Sequence, residues 1–438
     1  MARWVIDERN REAEARLVKE LGISSLVAAV LAQRGITEPA DADRFLHPRL
    51  DDLHSPASLP DYQSAISAIL GAKERKELIY VHGDYDVDGI TSASIFTRFL
   101  RAIGCEVKVH VPHRMKEGYG IHLTAVDDAI SAGAKLFLTC DCGSGALEQI
   151  EKAREAGMTV VVTDHHSIGE CFPNAHAFVN PHRTDSNYPF AELSGAGVAF
   201  KICEGITQEI GFKLDSFYRA YLDLAALGTI ADVMPLRGEN RIIARFGLER
   251  LADTKKAGLQ ALKEVAGLEA GKPVRAYHVG FVLGPRLNAT GRIDDAATAL
   301  KLLMTTDANE ARSLALQIEQ FNIARRAEQD RIIEEAVQMV VETQSHLKNV
   351  IVVSNPGWHT GLVGIVAGRL VDMFHRPVFV LNEGEDGRCK GSARTIPGFD
   401  LADAIRSFPD LMEGGGHAMA AGCSFPLQNL SDVQQSLH

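Results

Sequence analysis

The sequence predicts an α/β protein in which a parallel-sheet domain is joined by a long helix to a smaller α/β domain, with a cleft between them. From about residue 74 to 180, short apolar strand-like runs alternate with helix-like runs, a pattern typical of βαβ units. Residues 308–344 contain neither Pro nor Gly, which favours one long connecting helix. A second, shorter set of strand and helix patterns follows it.

The individual elements follow from apolar periodicity and from the Pro and Gly residues between the runs. Before residue 72 the chain is predicted to be helical over 11–21, 25–34 and 40–45, and it carries no obvious chemistry. The predicted strands are Leu78–Val81, Val107–Val111, Leu136–Thr139, Thr159–Thr163, Val350–Val353 and Val378–Leu381. The predicted helices are Ile90–Ile103, Ala125–Ala132, Ala146–Ala156, one opening at Leu193–Val198, Asp223–Asp232 and Leu362–Phe374.

Composition is that of an ordinary globular protein of 438 residues, with 46% hydrophobic residues. Seven scattered cysteines form no disulfide framework, and no apolar run is long enough for a membrane span, so we expect a cytoplasmic protein. Cys140 and Cys142 have no second pair, which disfavours zinc. The net charge of −11 disfavours a generic nucleic-acid binder, although a metal-dependent nuclease concentrates acid at its centre.

The most informative segment comes directly after the apolar run Leu78–Val81. His82, Asp84, Asp86 and Asp88 alternate there, and on a strand they would point to one side. Two carboxylates about 4 Å apart repel by roughly 4 kcal/mol at an effective dielectric near 20. Divalent cations are the natural counter-charge, and oxygen-rich sites suit Mg²⁺ or Mn²⁺. The alternative is that one Asp caps the next helix while the others face water.

Two more predicted strands end in metal-capable side chains. Asp141 follows the third strand, and Asp164, His165 and His166 follow the fourth. Ligands of open parallel sheets bind beyond the carboxyl ends of the strands, so these groups should meet at one sheet edge. Asp232 ends an apolar helix, where it is equally well explained as a cap or as a ligand.

The C-terminal part carries two glycine-rich segments, 359–364 and 414–422, and Arg394. Gly-rich turns that open onto helices expose backbone N–H groups, which bind phosphate. Each segment alone is as well explained by a tight turn. Together with Arg394 they predict an anion-binding wall.

The order of these motifs resembles that of the DHH phosphoesterase superfamily, and the segment ending at His417 resembles its DHHA1 domain. Within that superfamily the chain is similar to the RecJ-type single-strand-specific DNA exonucleases. Further segments that carry the likeness are 33–36, 45–48, 111–120, 283–292 and 358–366. Such proteins generally continue into an OB-fold, which supplies contacts to long strands, whereas this chain ends at His438. The resemblance is therefore to the core without that module.

The resemblance and the patterns imply four segments. They are an N-terminal helical segment (1–72), a DHH catalytic domain (73–305), a connecting helix (306–345) and a DHHA1 substrate-binding domain (346–438).

The resemblance implies two-metal hydrolysis of a phosphodiester, with Mn²⁺ or Mg²⁺. Asp141 would bridge the ions, His82 and Asp86 would hold one, and the other would be held by Asp88, His165 and Asp232. Asp84 would be a further ligand or the base that orients the water. His166 would stabilise charge on the scissile phosphate, unless it only positions His165.

Substrate contacts are expected from side chains that suit phosphate. The candidates are Arg114, Arg286, Asn288, Arg292, Arg394, Gly415, Gly416 and His417. The family resemblance implies 5′→3′ cleavage of single-stranded DNA to 5′-mononucleotides in DNA repair and recombination. It also implies cooperation with a single-strand-binding protein and a RecQ-type helicase, and a monomeric state.

Three other functions are weighed against this one. A phosphodiesterase for oligoribonucleotides or cyclic dinucleotides shares the motifs, but such proteins are shorter and lack a segment like 1–72. A catalytically dead scaffold would have lost metal ligands, and all of them are present here. A dinucleotide-binding enzyme needs glycines where the first turn of this chain carries acids.

Overall fold

The computed structural model describes residues 8–114, 117–118 and 120–437. The chain divides into two compact units. The first contains the residues up to Gly291 together with Asp295–Gln317, and the second contains Arg292–Asp294 together with the residues from Ile318 onward. Met115, Lys116 and Tyr119, which belong to the segment 111–120, lie outside the described residues.

The N-terminal segment is helical, as the apolar periodicity predicts. Its α-helices are α1 (Arg11–Leu21), α2 (Ser25–Gln33), α3 (Pro39–Leu46) and α4 (Tyr62–Glu74). Leu17, Ala28 and Leu31 form a small core between the first helices. The segment is tied to the rest of its unit by polar contacts, because the His54 N–H donates to Glu239 over 3.0 Å and the Phe178 N–H donates to Asp61 over 3.0 Å.

A parallel sheet of five strands follows, in the order β2-β1-β3-β4-β5. Its elements are β1 (Ile79–His82), α5 (Val87–Ala102), β2 (Val107–His110), α6 (Leu123–Ser131), β3 (Leu136–Cys140), α7 (Leu147–Glu155), β4 (Thr159–Thr163) and β5 (Ala177–Val179). The four predicted strands are confirmed, and β5 is an addition. One face of the sheet packs Tyr80, Phe137 and Val162 against α6 and α7. The strand order reverses between β1 and β3, and such a switch point is where open sheets bind ligands.

Helices complete the first unit. They are α8 (Gly195–Glu209), α9 (Leu214–Ala231), α10 (Gly238–Ala252), α11 (Ala257–Val265), α12 (Ala276–His278), α13 (Gly284–Ile293) and α14 (Ala297–Met304). A π-helical turn, Val279–Leu283, joins α12 to α13 without a break in the helix. α9 begins nine residues before the start that apolar content predicts, since Leu214 precedes Asp223 by that number.

The predicted long helix is α15 (Ala308–Glu342), and the division between the two units falls inside it, after Gln317. The second unit continues with β6 (Ile351–Asn355), α16 (Val363–Phe374), β7 (Val378–Glu383), β8 (Arg388–Arg394), α17 (Leu401–Arg406), β9 (Glu413–His417), β10 (Ala420–Pro426) and α18 (Leu430–Leu437). Its sheet has the order β6-β7-β8-β10-β9, with β6 and β7 parallel and the other pairs antiparallel.

One expectation for the second unit is wrong. The glycines of 414–416 do not form a turn that opens onto a helix, because they lie in β9, the exposed edge strand of the sheet. Gly414 and Gly416 have no room for a side chain, since a Cβ would lie 2.3 Å from the Gly422 carbonyl oxygen and 2.5 Å from that of Ala420. The glycines therefore serve close strand pairing. The other glycine-rich segment, 359–364, does open onto α16 as predicted.

Among the described helices, none combines the length and the apolar content that a membrane span requires.

Candidate metal centre

The centre begins with the loop between β1 and α5. His82 closes β1 and is fully buried, with its Nε2 3.4 Å from the Gly120 carbonyl oxygen. Asp86 is the N-cap of α5, and its Oδ1 accepts from the N–H groups of Asp88 and Gly89 at 2.9 and 3.0 Å. The alternating residues therefore do not share one strand. His82 ends β1, Asp86 caps α5 and Asp88 lies in the first turn of α5. Only His82 of the four lies on the strand itself.

Asp88 is held by a second helix. Its carboxylate accepts from the backbone N–H groups of Gly195 (2.6 Å) and Ala196 (2.9 Å), at the start of α8. A helix N-terminus offers unpaired N–H groups and a positive dipole end, so it favours an anion. Gly228 of α9 makes this approach possible, because a Cβ there would lie 2.5 Å from the Asp88 Oδ1.

Asp141 follows β3 and adopts the left-handed backbone conformation, with φ of 61°. That region is open to few residues besides Gly, and Asp and Asn are among them. The side chain is 2% exposed and packs against Gly195, where a Cβ would lie 2.5 Å from it. The backbone thus directs a carboxylate into the centre of the sheet edge.

The end of β4 supplies two imidazoles and the carboxylate that orients one of them. Asp164 accepts hydrogen bonds from the Ser144 N–H (2.9 Å), the His165 N–H (2.7 Å) and the His166 Nδ1 (2.8 Å). Asp164 is therefore committed to its neighbours, and His165 and His166 are the groups left to face the centre.

His165 is the hub of the contacts. Its Nε2 lies 3.1 Å from the Asp141 Oδ1, 3.7 Å from the Asp88 Oδ2 and 3.7 Å from the Asp232 Oδ2. Asp232 follows the last residue of α9 as its C-cap, with 27% of its side chain exposed. The residue that is ambiguous in the sequence is thus both a cap by position and a member of the cluster.

Burial and mutual repulsion raise the pKa values of four carboxyl groups in the cluster. Burial and the neighbouring Asp86 raise the pKa of Asp84 to about 8 and that of Asp88 to about 7. Burial and Asp88 raise the pKa of Asp232 to about 8 and that of Asp141 well above its usual value. Without a counter-charge, the carboxyl groups of Asp84 and Asp232 are therefore mostly protonated at neutral pH and that of Asp88 is partly protonated.

The imidazoles divide into neutral and charged forms. Burial lowers the pKa of His165 to about 4 and that of His82 to about 3, so both are neutral and free to act as ligands. Burial alone would also lower the pKa of His166, but the hydrogen bond to Asp164 outweighs it and raises that pKa to about 9. The same bond, together with those from Ser144, overcomes burial of Asp164 and holds its pKa below its usual value.

Three sets of ligand atoms converge closely enough for a shared ion, within 4.8 Å of one another. They are Asp88, His165 and Asp232; Asp84, Asp86 and Asp141; and Asp141, His165 and His166. Six of the seven ligands that the sequence predicts thus fall in these sets, and Asp141 belongs to two of them. His82 belongs to none. The structure also adds His166, which the sequence assigns to charge stabilisation.

The donor set fits divalent cations. The His82 Nδ1, the Asp141 Oδ1 and the His165 Nε2 are buried without a hydrogen-bond partner among the described residues. The last two are 3.1 Å apart but not aligned for a hydrogen bond with each other. Buried polar atoms are normally paired, so the unpaired Asp141 Oδ1 and His165 Nε2, which lie side by side, indicate a missing ligand. Carboxylate oxygens and imidazole nitrogens suit Mn²⁺ and Mg²⁺.

The predicted phosphate contacts of the first unit lie near this edge. Arg114 stands over the Tyr85 ring, 4.9 Å from its centroid. Arg286 is largely buried on α13 and donates to the Val282 carbonyl over 2.8 Å, and Asn288 is half-buried on the same helix. The helix borders the centre at both ends, since Gly284 lies against Ala231 and Gly291 against the Tyr85 carbonyl.

Other predicted contacts belong to the second unit. Arg292 donates to the Gly361 carbonyl over 2.9 Å, at the turn before α16. Arg394 donates to the Ala393 carbonyl over 2.8 Å, and its Nη2 lies 3.1 Å from the place where a Gly364 Cβ would be. The remaining predicted substrate contacts are exposed and lie on β9. They are Gly415, Gly416 and His417.

Three residues outside the predicted set of ligands and substrate contacts also build the centre. Asp164 orients His166, and Gly195 and Gly228 clear the space for Asp141 and Asp88. Asp164 had a signal, since it directly follows β4 at the sheet edge. Gly195 also had a signal, since the small residues of 193–198 indicate close backbone approach, but its partner Asp88 is 107 positions away and has no local signature. Gly228 had none.

Comparison with protein families agrees with this geometry. Residues 78–229 match the model of the DHH family, N-terminal domain, and residues 347–438 match the DHHA1 domain.

Individual curated proteins agree with these family matches. The single-stranded-DNA-specific exonuclease RecJ of Bacillus subtilis is 40% identical over 438 residues, which cover 100% of this chain and 55% of that protein. The RecJ of Escherichia coli is 35% identical over 449 residues, covering 98% of this chain and 77% of that protein. The chain therefore spans about half the length of the Bacillus relative and three quarters of the other.

Solved structures confirm the fold. RecJ of Thermus thermophilus in complex with Mn²⁺ aligns with a TM-score of 0.84 at 31% identity, over 99% of this chain and 61% of that one. An exonuclease RecJ bound to manganese aligns with a TM-score of 0.77 at 34% identity, over 89% of this chain and 95% of that one. The α/β fold class and the family resemblance are thus confirmed, and the chain belongs to the RecJ proteins of the DHH family.

Proposed function

We propose that the chain is a two-metal-dependent exonuclease that hydrolyses phosphodiester bonds of single-stranded DNA. The observation that carries this proposal is the convergence of three cation-sized ligand sets at one sheet edge, two of which contain Asp141. Curated relatives are named single-stranded-DNA-specific exonucleases, and solved relatives contain Mn²⁺ or Mg²⁺. Cleavage in the 5′→3′ direction to 5′-mononucleotides, and a role in DNA repair and recombination in the cytoplasm, follow from the family.

Two divalent cations would be held by the chain's own side chains. Asp88, His165 and Asp232 would hold one, and Asp84, Asp86 and Asp141 the other. Asp141 would bridge them, since its Oδ1 also lies 3.1 Å from the His165 Nε2. His82 offers an unpartnered Nδ1 and completes the proposed ligands. When bound, such a pair lowers the pKa of a water molecule and neutralises the oxygens of a phosphodiester.

Two side chains of the centre, Asp84 and His166, can accept or carry a proton near neutral pH. As the alternative to binding a cation, Asp84 would orient the attacking water, since burial raises its pKa to about 8 when no cation is bound and lets it accept a proton near neutral pH. His166 has a pKa of about 9 and is positively charged at neutral pH. It would face the scissile phosphate and stabilise the charge that develops there, while Asp164 keeps it protonated and in position.

The predicted phosphate contacts would bind the substrate. Arg114, Arg286, Asn288 and Arg292 would contact phosphates near the reacting bond, because guanidinium groups recognise phosphate in two-point fashion. In the second unit, Arg394 and the residues of β9 around Gly415, Gly416 and His417 would hold the strand. The exposure of β9 supports this, since an edge strand offers backbone N–H groups to an anion.

The wider organisation follows the same proposal. We infer segments 1–72, 73–305, 306–345 and 346–438, and the two family-model matches fall inside the second and the fourth. A single-strand-binding protein and a RecQ-type helicase would be the partners of a monomer, as family membership suggests.

The decisive experiment uses a single-stranded oligonucleotide labelled at either end. With Mn²⁺ or Mg²⁺, the 5′ label should appear at once as a mononucleotide while the 3′ label shortens gradually, and a chelator should stop both. If the 3′ label instead appeared first as a mononucleotide, cleavage would run in the 3′→5′ direction. Faster cleavage of a dinucleotide than of the long strand would instead support the phosphodiesterase alternative.

Arg394→Ala provides a second test. It should weaken binding of the strand and flatten the dependence of the binding constant on salt by about one unit, because one fewer counterion is released. An unchanged slope would remove Arg394 from the substrate contacts.

A further inference from the structure

The helix that borders the metal centre stands out by its charge. From residue 270 to 293 the sequence contains no Asp or Glu, while it contains Lys272, Arg275, Arg286 and Arg292. The whole chain has a net charge of −11, so this stretch runs against the overall balance. A local basic stretch in an acidic protein attracts a polyanion to that place.

Two aromatic rings are displayed on this stretch. Tyr277 is 63% exposed and Phe281 is 67% exposed, and they are stacked, with ring centroids 5.1 Å apart and an angle of 26° between the planes. His278 stands edge-on to Tyr277 at 6.1 Å. Large aromatic side chains are usually mostly buried, and a stacked pair left in water loses much of what burial would contribute.

The pair sits where the helix changes its winding. Phe281 lies in the π-helical turn Val279–Leu283, and Tyr277 lies just before it in α12. Single π-helical turns inserted in α-helices are frequent at functional sites. The rings are therefore fixed on a rigid element.

The distance to the centre is short. A Cβ on Gly284 would lie 3.5 Å from Ala231, the residue before Asp232. Tyr277 precedes Gly284 by seven positions, which at 1.5 Å per residue places it about 10 Å further along the helix. Stacked bases are about 3.4 Å apart, so the interval corresponds to about three nucleotides.

We propose that Tyr277 and Phe281 form a stacking platform for the bases of a single strand whose backbone is cleaved at the metal centre. This rests on the proposed function and adds a base-binding subsite to it. Aromatic rings stack on any base, so the platform would grip the strand without reading its sequence. It would also favour single strands, whose bases are free to leave their neighbours.

The test is a binding titration of the whole chain with a fluorescent ten-nucleotide single strand in chelator, where no hydrolysis interferes. The double variant Tyr277→Ala/Phe281→Ala should bind at least about 10-fold more weakly, because stacking contributes about 1–3 kcal/mol per base. Tyr277→Phe should bind normally. Phe212→Ala removes a ring of similar exposure, 61%, from a different surface and should have no effect.

Two further measurements separate base stacking from contacts to the phosphate backbone. On a strand of the same length that lacks bases, the parent chain and the double variant should bind equally. The slope of the binding constant against salt should not change in the double variant, since no phosphate contact is removed. An equal loss on the base-free strand, or a binding constant unchanged by the double substitution, would overturn the platform.

The same experiments distinguish the two proposals. If the parent chain hydrolyses the strand with Mn²⁺ and the double variant shows the same KM, the platform fails and the nuclease stands. If binding depends on the bases and on both rings but no hydrolysis occurs with Mn²⁺ or Mg²⁺, the platform stands and the nuclease fails. If the parent chain binds no single strand, both proposals fail.

Discussion

Asp141 lies where ionisation of its carboxyl group is unfavourable. It is 2% exposed, and burial and Asp88 raise its pKa well above the usual value. Such a residue destabilises the folded chain when no ligand is bound, yet it lies at the centre of a ligand cluster. This indicates that function has been favoured over stability at this position. The same reasoning applies to no other carboxylate of the centre as strongly, because Asp141 is the one carboxylate among the described residues that belongs to two ligand sets.

We therefore predict opposite effects for Asp141→Asn. Hydrolysis with saturating Mn²⁺ should fall by more than about 100-fold, since even residues that only support metal ligands cause losses of about 10- to 100-fold when changed. The melting temperature in chelator should stay the same or rise, because a buried carboxyl whose ionisation is unfavourable is replaced by a neutral amide. Steady-state rates and thermal melts measure the two effects, and near-normal activity with Mn²⁺ would contradict the bridging role. Asp215→Asn, at an exposed position, is the control.

A second prediction concerns Asp164, which the sequence places at the sheet edge without assigning it a role. The bond to Asp164 holds the pKa of His166 at about 9, against burial. Asp164→Asn removes this support, so His166 loses its proton at a lower pH. The alkaline limb of the profile of kcat/KM against pH should move down, and activity at pH 8 should fall by about 10- to 100-fold. An alkaline limb that stays in place would show that the charge of His166 is not used.

At the scale of elements, α5, α8 and α9 meet at the centre only because small residues line their contact. Gly228 lies in the interior of α9, and a Cβ there would lie 2.4 Å from the Thr91 Oγ1 and 2.6 Å from the Ala196 Cβ. Gly368 also lies inside a helix, α16, but a Cβ there would meet nothing within 4 Å. The two glycines thus differ in packing and not in secondary structure.

Replacing each of them by Ala should have opposite signs. Gly368→Ala should stabilise by up to about 1 kcal/mol, because Ala has the higher helix propensity. Gly228→Ala should destabilise by about 1–3 kcal/mol through overpacking, and it should weaken Mn²⁺ binding by displacing Asp88. Urea denaturation measures the free energies of unfolding. Equal effects of the two substitutions would mean that the helix contact adapts without strain.

The same scale shows how far the sequence leads. Long apolar runs between turn signals predict β1 to β4 correctly, because buried parallel strands are apolar along their length. β5 has only three residues, Ala177–Val179, and is too short to give such a signal. β9 was misassigned because its glycines usually mark turns, whereas here they permit close pairing of strands.

The centre was predictable for a topological reason. Parallel strands bring their carboxyl ends to one edge, so acids after β1, β3 and β4 must be neighbours. The second coordination layer was not predictable in this way. The support of Asp88 by Gly195 joins residues 107 positions apart, and no local pattern encodes such a contact.

At the scale of the whole molecule, the centre couples folding to cations and protons. Asp84 and Asp232, with pKa values of about 8, and Asp88, at about 7, hold protons in the folded chain that the unfolded chain has released, since an ordinary Asp has a pKa of 3.8. Stability contributed by these protons is present at low pH and is lost as pH rises through the folded-state values. His165 and His82 act in the opposite direction, because burial depresses their pKa values, but only below about pH 6.5.

We therefore predict that the chain in chelator loses stability between about pH 6.5 and 8.5, because unfolding releases the extra protons of the folded state until the pH has passed their folded-state pKa values. Mn²⁺ takes the place of those protons, so the rise in melting temperature that it causes should be larger at pH 8.5 than at pH 6.5. Melts at a series of pH values, with chelator and with Mn²⁺, measure both effects. Asp88→Asn/Asp232→Asn should flatten the decline in chelator and reduce the Mn²⁺ effect at every pH. A melting temperature in chelator that rises across the window would contradict this account, since the buried acids would then have to be ionised and stabilised by something other than a cation.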